Sequence, residues 1–341
     1  MSKIGVAVVG VGMLGKRHAE NLRRAIPEAQ LLAVADSDPK RAAQVAAELE
    51  VEHYAENPES VVARKDIQAV VIASPSKFHA ELIQLSAAAG KHVFCEKPIA
   101  LTPEDAQSTL KAVAKAGVQL QIGFMRRYDP AYASAKQRVD AGEIGDPIMF
   151  KSLGRDRQPP PPGFYQGDVN GTLFSDSAIH DFDLARWLMK DEIVEVQSYA
   201  GLLACPELAQ FGAIDACLVN VKFTRGGIGN IEAYRKSNYG YDIRTEIVGT
   251  QGTIQIGYLP SNSQLVLTSS GAAYEMVDHW LARFADAYLA ELRDFVQVIR
   301  SGGSPRVTGL DGLRALEAAV AAEQSYRESR PVAVSTSGTS R

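Results

Sequence analysis

The sequence predicts an α/β protein of two domains, a doubly wound parallel sheet followed by a domain with a mostly antiparallel sheet. Three observations carry this prediction. The chain has 341 residues, which is enough for two packed cores. Short apolar runs alternate with helical segments up to residue 124, a rhythm typical of parallel sheets. Beyond that point longer β-like segments follow one another with few helices between them.

The first half of the chain contains six short β-rich runs, each followed by a segment with turn residues or helical periodicity. The predicted strands are 3–9, 30–36, 51–55, 68–74, 91–98 and 118–124, and the predicted helices are 14–26, 39–49, 77–89 and 103–116. We therefore expect residues 1–124 to form the first domain.

The second half begins with a predicted helix at 130–141. The β-like segments are 147–154, 192–203, 214–223, 227–236, 243–250, 252–257 and 264–269, and further helices are predicted at 176–189, 279–300 and 310–328. Four consecutive prolines, Pro159–Pro162, predict an extended and stiff loop. We expect a second domain at 125–330, with its last helices free to pack back on the first domain, and a frayed tail at 331–341.

Composition excludes several classes of function. Hydrophobic residues make up 46% and charged residues 22% of the chain, and the net charge of −4 argues against a nucleic-acid partner. No apolar run reaches the ~18 residues of a membrane helix, and the N-terminus lacks the basic start of a signal peptide. The cysteines, Cys95, Cys205 and Cys217, have no metal-binding spacing. We expect a cytoplasmic protein with reduced thiols and no metal.

A glycine motif lies between the first predicted strand and helix. Gly10, Gly12 and Gly15 form the pattern G-x-G-x-x-G, in which glycine permits a tight turn, a close approach of a pyrophosphate and close helix–strand packing. The following helix offers free N–H groups to phosphates. The pattern alone also fits a purely structural turn, but its place between strand and helix favours dinucleotide binding.

Asp36 ends the second predicted strand, where a carboxylate accepts hydrogen bonds from the adenosine ribose. The carboxylates of Asp36 and Asp38 would repel a 2′-phosphate, and no arginine occurs before Arg41. The sequence therefore favours NAD over NADP.

The fifth predicted strand ends in Glu96-Lys97-Pro98. Ligands bind outside the carboxyl ends of strands in such sheets, so Lys97 is expected to face the cofactor crevice. A lysine there can hydrogen-bond a substrate hydroxyl and favour its deprotonation. A surface lysine at a strand end is the alternative.

The stretch DSAIHDFDLARWL contains ionisable residues inside an apolar helical pattern. Asp176 and His180 are four residues apart and share a face if the segment is α-helical, with Asp183 close to His180. A histidine oriented by a carboxylate can accept a proton near neutral pH. Taken alone, the pair fits a core histidine bonded to Asp176 equally well.

Seven ordered motifs together resemble one family. They are GVGMLGKRHAENL, VADSDP, ASPSKFH, EKPIA, GFMRRYDPAY, DSAIHDFDLARWL and YGYDIRTEIVGTQG. Over about residues 3–330 the chain resembles the glucose–fructose oxidoreductase/inositol dehydrogenase (Gfo/Idh/MocA) family, and within it the myo- and scyllo-inositol 2-dehydrogenases. The resemblance implies a Rossmann domain and a C-terminal α/β domain with a large open-faced sheet that forms homotetramers.

The resemblance also implies residue roles. Lys97 is similar to the catalytic lysine of the family, with Asp176 and His180 as partners and His180 as the proton acceptor. Glu96 is implied as a cofactor contact, and Arg127, Asp156 and Tyr241 as substrate ligands. We expect the remaining cofactor contacts from the motif residues Met13, Leu14, Ser37, Ser74, Pro75 and His79.

Two departures from the family pattern leave the substrate open. VNGTLFSD lacks the double glycine often found before the D-x-x-x-H helix, and GRDRQPPPP replaces the usual RDP or RNP. The prediction is an NAD-dependent oxidation of a ring hydroxyl of a cyclic polyol, myo- or scyllo-inositol, to an inosose. The alternatives are a pyranose dehydrogenase acting on glucose or levoglucosan, and a non-catalytic sensor of NAD or sugar.

Overall fold

The computed structural model describes residues 2–258, 265–269 and 271–335, without the side chain of Asp168. The chain forms two compact units. The first comprises Met1–Tyr128 and Asp286–Leu316, and the second comprises Asp129–Ala285 and Glu317–Arg341. The proposed division of function between 1–124 and 125–330 stays a prediction.

The first unit is built from strands that alternate with helices. The strands are β1 (Ile4–Val9), β2 (Ala29–Ala35), β3 (His53–Ala55), β4 (Ala69–Ile72), β5 (His92–Glu96) and β6 (Leu120–Gly123), and the helices are α1 (Met13–Arg24), α2 (Pro39–Glu48), α3 (Pro58–Val62), α4 (His79–Ala88) and α5 (Pro103–Ala116). The predicted doubly wound parallel sheet is confirmed, because the strand order is β3-β2-β1-β4-β5-β6 with every pair parallel.

Burial on both faces explains why the central strands are almost wholly apolar. Each residue of β4 is buried, and β1 is buried from Gly5 onwards. Helices cover parallel sheets on both faces, which leaves no place for polar residues inside the strands. Polar side chains therefore collect at the strand ends, where the chain turns.

The second unit combines a mixed sheet with helices. The strands are β7 (Pro147–Arg155), β8 (Ile193–Gly201), β9 (Ala216–Phe223), β10 (Ile228–Tyr234), β11 (Asp242–Gly249) and β12 (Thr253–Ile256), with a small pair β13 (Val266–Thr268) and β14 (Gly271–Ala273). The helices of the second half of the chain are α6 (Pro130–Asp140), α7 (Ile179–Met189), α8 (Trp280–Arg283), α9 (Ala285–Ser301) and α10 (Gly309–Glu328), and β15 (Val332–Ala333) follows them.

The sheet of the second unit has the order β12-β11-β7-β10-β9-β8-β15. Its pairs are antiparallel except for β7 and β10, which run parallel, so the predicted mostly antiparallel sheet is confirmed. Along β9 buried and exposed residues alternate, with Val219 and Val221 inside and Leu218 outside. One face of the sheet is therefore open to solvent.

Several sequence predictions for this half were wrong in detail. The helix predicted at 279–300 breaks at Phe284, whose φ of −114° is not helical. At this break Arg283 binds Asp129 (2.6 Å), and its guanidinium lies over the Phe284 ring. The predicted proline loop ends in a 3₁₀ turn at Pro162–Phe164. The predicted frayed tail begins with β15, which pairs with β8, while residues 336–341 and the predicted strand residue 264 lie outside the described residues.

Candidate active site

The glycine turn between β1 and α1 is shaped for a close ligand. Gly10 has φ +82°, and a Cβ there would lie 2.6 Å from the Ser74 nitrogen. A Cβ on Gly15 would lie 1.8 Å from the Gly10 oxygen. At Gly12, by contrast, a Cβ would meet no described atom within 4 Å, and no side chain caps the start of α1. The open Gly12 and the uncapped N–H groups fit a pyrophosphate.

Asp36 lies at the end of β2, beside this turn. Its Oδ2 accepts a hydrogen bond from the Val11 nitrogen and its Oδ1 from the Asp38 nitrogen, both at 2.9 Å. Arg41 returns on the first turn of α2, so that its Nη1 lies 3.4 Å from Asp36 Oδ2. No arginine lies between Asp36 and Arg41 in the sequence, but one helical turn brings the Arg41 guanidinium back to the carboxylate.

The other predicted cofactor residues occupy the neighbouring loops. Met13 and Leu14 start α1, and Ser37, Ser74 and Pro75 follow the carboxyl ends of β2 and β4. His79 is fully buried, with Nδ1 2.7 Å from the Pro98 oxygen and Nε2 2.8 Å from the Ser74 oxygen. Burial lowers the pKa of His79. A neutral imidazole can donate a hydrogen bond from only one of its two nitrogens. The contacts of His79 with Ser74 and Pro98 connect the loop after β4 to the loop after β5.

Glu96 and Lys97 lie at the end of β5, where the Lys97–Pro98 peptide is cis. Glu96 is buried, and its Oε1 accepts a hydrogen bond from His18 Nε2 at 2.7 Å. Lys97 is only half-buried. The structure therefore turns Glu96 towards α1 and leaves Lys97 accessible at the carboxyl edge of the sheet.

His18, Glu96 and Glu291 are the group of potential metal ligands that the described residues bring together. Two ligand atoms on one tetrahedral zinc ion lie about 3.3 Å apart. The 2.7 Å separation of His18 and Glu96 is that of a hydrogen bond. We interpret the group as a buried polar cluster, to which Glu291 contributes a carboxyl from α9.

Arg127, predicted as a substrate ligand, is buried in the first unit. Its Nη2 lies 3.0 Å from Oδ1 of Asp311, in the first turn of α10. Part of its guanidinium is therefore bound by a carboxylate of the chain, and its role towards a substrate stays a prediction.

The segment that contains Asp176 differs from the predicted helix. Phe174–Ala178 is a π-helical turn, and α7 begins at Ile179. A π turn pairs residues five apart, so the α-helical spacing that was applied to Asp176 and His180 is wrong at Asp176. His180 lies in the first turn of α7 and is buried. Single π turns inside helices are frequent at functional sites.

Asp176 is bound by an arginine that the sequence analysis missed. Arg235 directly follows β10, and its Nη2 lies 2.6 Å from Asp176 Oδ2. Arg235 is 1% exposed, and the rings of Phe164 and Tyr165 lie 5.4 and 5.9 Å from its guanidinium carbon. Burial alone would lower the pKa of Arg235, but the facing groups Asp176, Tyr165 and Asp156 raise it.

Asp156 belongs to the same neighbourhood. It directly follows β7, its N–H donates to the Tyr234 oxygen (2.8 Å) and its oxygen accepts from the Ser237 nitrogen (2.8 Å). Two predicted substrate residues, Asp156 and Asp176, are thus brought together around Arg235. Arg235 continues the face of Ile231 and Ala233 at a spacing of two residues, and this alternation was the available signal for a buried arginine.

Tyr241 lies elsewhere in the second unit. Its ring meets Phe284 edge-on at 6.3 Å between centroids, and it lines a cavity of about 470 Å³ with Tyr258, Tyr274 and Arg283. The structure does not place Arg235 in the lining of that cavity. The role of Tyr241 as a substrate ligand stays a prediction.

The fold and the glycine turn define a Rossmann-type dinucleotide-binding oxidoreductase, and family models agree. The model of an oxidoreductase family with an NAD-binding Rossmann fold matches residues 4–124, and the model of its C-terminal α/β domain matches residues 136–334. The chain belongs to this Gfo/Idh/MocA oxidoreductase family, and its first unit carries an NAD-binding Rossmann domain.

Several proteins are similar to this chain over nearly its whole length. The scyllo-inositol 2-dehydrogenase (NAD(+)) of Bacillus subtilis is 41% identical over 97% of this chain and 96% of that protein. The myo-inositol 2-dehydrogenase of Thermotoga maritima is 35% identical over 96% of this chain and 97% of its own length. A crystal structure of scyllo-inositol dehydrogenase from Lactobacillus casei with bound NAD(H) and scyllo-inositol has a TM-score of 0.92 at 35% identity, covering 98% of this chain and 99% of that one.

Proposed function

We propose that this chain oxidises a secondary ring hydroxyl of a cyclic polyol, scyllo- or myo-inositol, to the ketone with NAD. The observation that carries the proposal is the 41% identity to a scyllo-inositol 2-dehydrogenase over 97% of the chain, with Lys97, Asp176 and His180 all present. The open turn at Gly12 and the carboxylate of Asp36 fit NAD.

The proposed chemistry divides between proton transfer and positioning. His180 accepts the proton of the substrate hydroxyl, while the ammonium group of Lys97 polarises the hydroxyl oxygen. Asp176 stabilises the imidazolium that forms on His180. NAD, when bound, supplies the acceptor for the hydride that leaves the same carbon. Asp156 supports selectivity, because a buried hydroxyl partner left unpaired penalises a deoxy analogue.

The test measures NADH formation by the full chain with scyllo-, myo- and D-chiro-inositol, glucose, xylose and levoglucosan, each with NAD and with NADP. Turnover of an inositol with preference for NAD supports the proposal. Activity only on the pyranoses would replace the substrate and keep the chemistry. NAD binding without turnover of any substrate would contradict the enzyme proposal and favour a sensor.

We also propose that the chain assembles as a homotetramer through the open face of its second sheet. Large apolar side chains are exposed on the open face of that sheet, namely Tyr199, Leu218 and Ile228. Exposed apolar groups on a broad face are typical of contact surfaces. Light scattering of Leu218→Asp, compared with the wild type and with Lys115→Asp at an exposed lysine of α5, should show a smaller assembly for Leu218→Asp only.

None of the helices within the described ranges is long and apolar enough to cross a membrane. We further propose a cytoplasmic location, which is supported by three buried, unpaired cysteines. Cell fractionation tests it, and recovery from a membrane or secreted fraction would contradict it.

A further inference from the structure

Arg235 is a buried cation in the middle of the second unit. It is 1% exposed, and its backbone N–H donates to the Asp215 oxygen at 2.9 Å. A buried charge costs several kcal/mol unless an opposite charge and hydrogen bonds offset the cost. The charge of Arg235 must therefore be offset by its neighbours, and these neighbours indicate its role.

The main partner is the candidate catalytic residue Asp176, at 2.6 Å from Arg235 Nη2. The hydroxyl of Tyr165 lies 3.4 Å from Nη1, and the rings of Phe164 and Tyr165 cover the guanidinium. The aromatic rings limit the access of water to the guanidinium, which is 1% exposed. Arg235 is thus fixed, and it fixes one oxygen of Asp176.

We propose that Arg235 is the positioning residue of this site: it holds the Asp176 carboxylate in place and shares its charge, and so sets how strongly Asp176 acts on His180. This inference rests on the proposed function. Arg235 acts through Asp176, and no direct contact with substrate is assigned to it.

The charge of Arg235 should act on the pKa of His180 in one direction. A carboxylate near an imidazole favours the protonated ring, and a guanidinium on the same carboxylate weakens that effect. Loss of the Arg235 charge should therefore raise the pKa of His180. The other titratable groups near Arg235 come from the strands, loops and helix around it, namely Asp156, Tyr165, Asp215 and Glu323.

The experiment compares Arg235→Gln and Arg235→Lys with the wild type over a range of pH. For Arg235→Gln we expect kcat with scyllo-inositol to fall by about 10–100-fold, as for other residues that orient a catalytic group. The acidic limb of kcat/KM should move up by about one pH unit, while KM for NAD stays unchanged. For Arg235→Lys we expect a smaller fall in kcat and an unmoved limb.

Tyr165→Phe is the matched control, because it removes the hydroxyl near Arg235 and keeps the pair with Asp176. Its acidic limb should equal that of the wild type. An Arg235→Gln enzyme with wild-type kcat and limb would overturn the inference.

If Arg235→Gln does not fold, Arg235→Lys tests the positioning role of Arg235. Reduced kcat with an unmoved limb then supports the inference, while unchanged kcat or a moved limb overturns it. Lack of polyol turnover by the wild type would refute the proposed function instead, so the two failures are distinguishable.

Discussion

The two units stabilise a carboxyl group in opposite ways. Glu291 in the first unit is 0% exposed, and neither of its oxygens has a hydrogen-bond partner among the described residues. Burial and the negative charge of Glu96 raise the pKa of Glu291 well above its ordinary value. Asp176 in the second unit instead lies against a buried guanidinium at 2.6 Å. One acid is neutralised by a proton and the other by a cation.

This difference predicts that the stability of the first unit depends on pH and that the stability of the second depends on the Arg235–Asp176 pair. A group held neutral by a proton responds to pH, because rising pH removes the proton. A group held by a buried cation responds to substitution, because loss of Asp176 leaves the buried guanidinium of Arg235 without its carboxylate. Because Lys97 is only half-buried, its substitution should leave the free energy of unfolding near that of the wild type.

The largest effect is expected for Lys97→Ala. Loss of a group that acts on the reacting hydroxyl should lower kcat/KM for scyllo-inositol by about 10²–10⁴-fold. NAD binding, measured by calorimetry, and the free energy of unfolding should stay near the wild type. Lys115→Ala, at an exposed lysine near the end of α5, is the control. Retained turnover would remove Lys97 from the mechanism.

Asp176→Asn should affect both activity and stability. It leaves Arg235 buried without its carboxylate, which should lower the free energy of unfolding by about 3–5 kcal/mol. Urea unfolding measures the loss. Asp140→Asn is the control, because Asp140 pairs with Lys136 and Lys190 at the surface and such pairs contribute about 0–1 kcal/mol. Equal losses of unfolding free energy in the two variants would show that the Arg235–Asp176 pair contributes no more than a surface pair.

Glu291→Gln should stabilise the chain increasingly as pH rises. The folded chain keeps the Glu291 proton above the ordinary pKa of 4.5, so the stability that this proton contributes is complete below that pH and declines above it. Glutamine has no such proton to lose. The difference should therefore grow in favour of the variant by up to about 1.4 kcal/mol per pH unit, until the pH reaches the raised pKa.

Urea unfolding of Glu291→Gln and the wild type at pH 5, 6, 7 and 8 measures this slope. Glu143→Gln, at an exposed glutamate that pairs with Arg138, serves as the control and should show no such trend. Parallel curves for Glu291→Gln and the wild type would mean that Glu291 is already ionised in the folded chain.

Local patterns were enough to predict the cofactor half. The glycine turn and Asp36 could be predicted because a strand, a tight turn and a helix are encoded within a short stretch of chain. The parallel sheet followed from apolar runs that alternate with helices, and its strand order is that of a dinucleotide-binding sheet.

Long-range packing determined what the sequence could not show. Arg235 and Asp176 are 59 residues apart and meet only because β10 and the π turn lie side by side. Glu291 on α9 carries no local sign that it will be buried near Glu96. The π turn itself depends on a hydrogen-bond shift of one residue, which the apolar pattern of 176–189 does not reveal.

Asp36 is a third carboxyl group, stabilised by backbone N–H groups and by a half-exposed arginine. The substitution Arg41→Ala beside it has the smallest expected effect. Backbone N–H groups bind its carboxylate, and the half-exposed Arg41 lies 3.4 Å away. Because Arg41 is half exposed to solvent and lies at 3.4 Å, its interaction with Asp36 should be as weak as that of a surface pair, about 0–1 kcal/mol. Arg41→Ala should therefore lower kcat/KM with NADP relative to NAD by no more than about fivefold. Asp36→Asn should move the same ratio further, and towards NADP, because it removes the charge that repels a 2′-phosphate. Equal ratios in Arg41→Ala and the wild type would mean that the backbone N–H groups and Asp36 set the cofactor preference without Arg41.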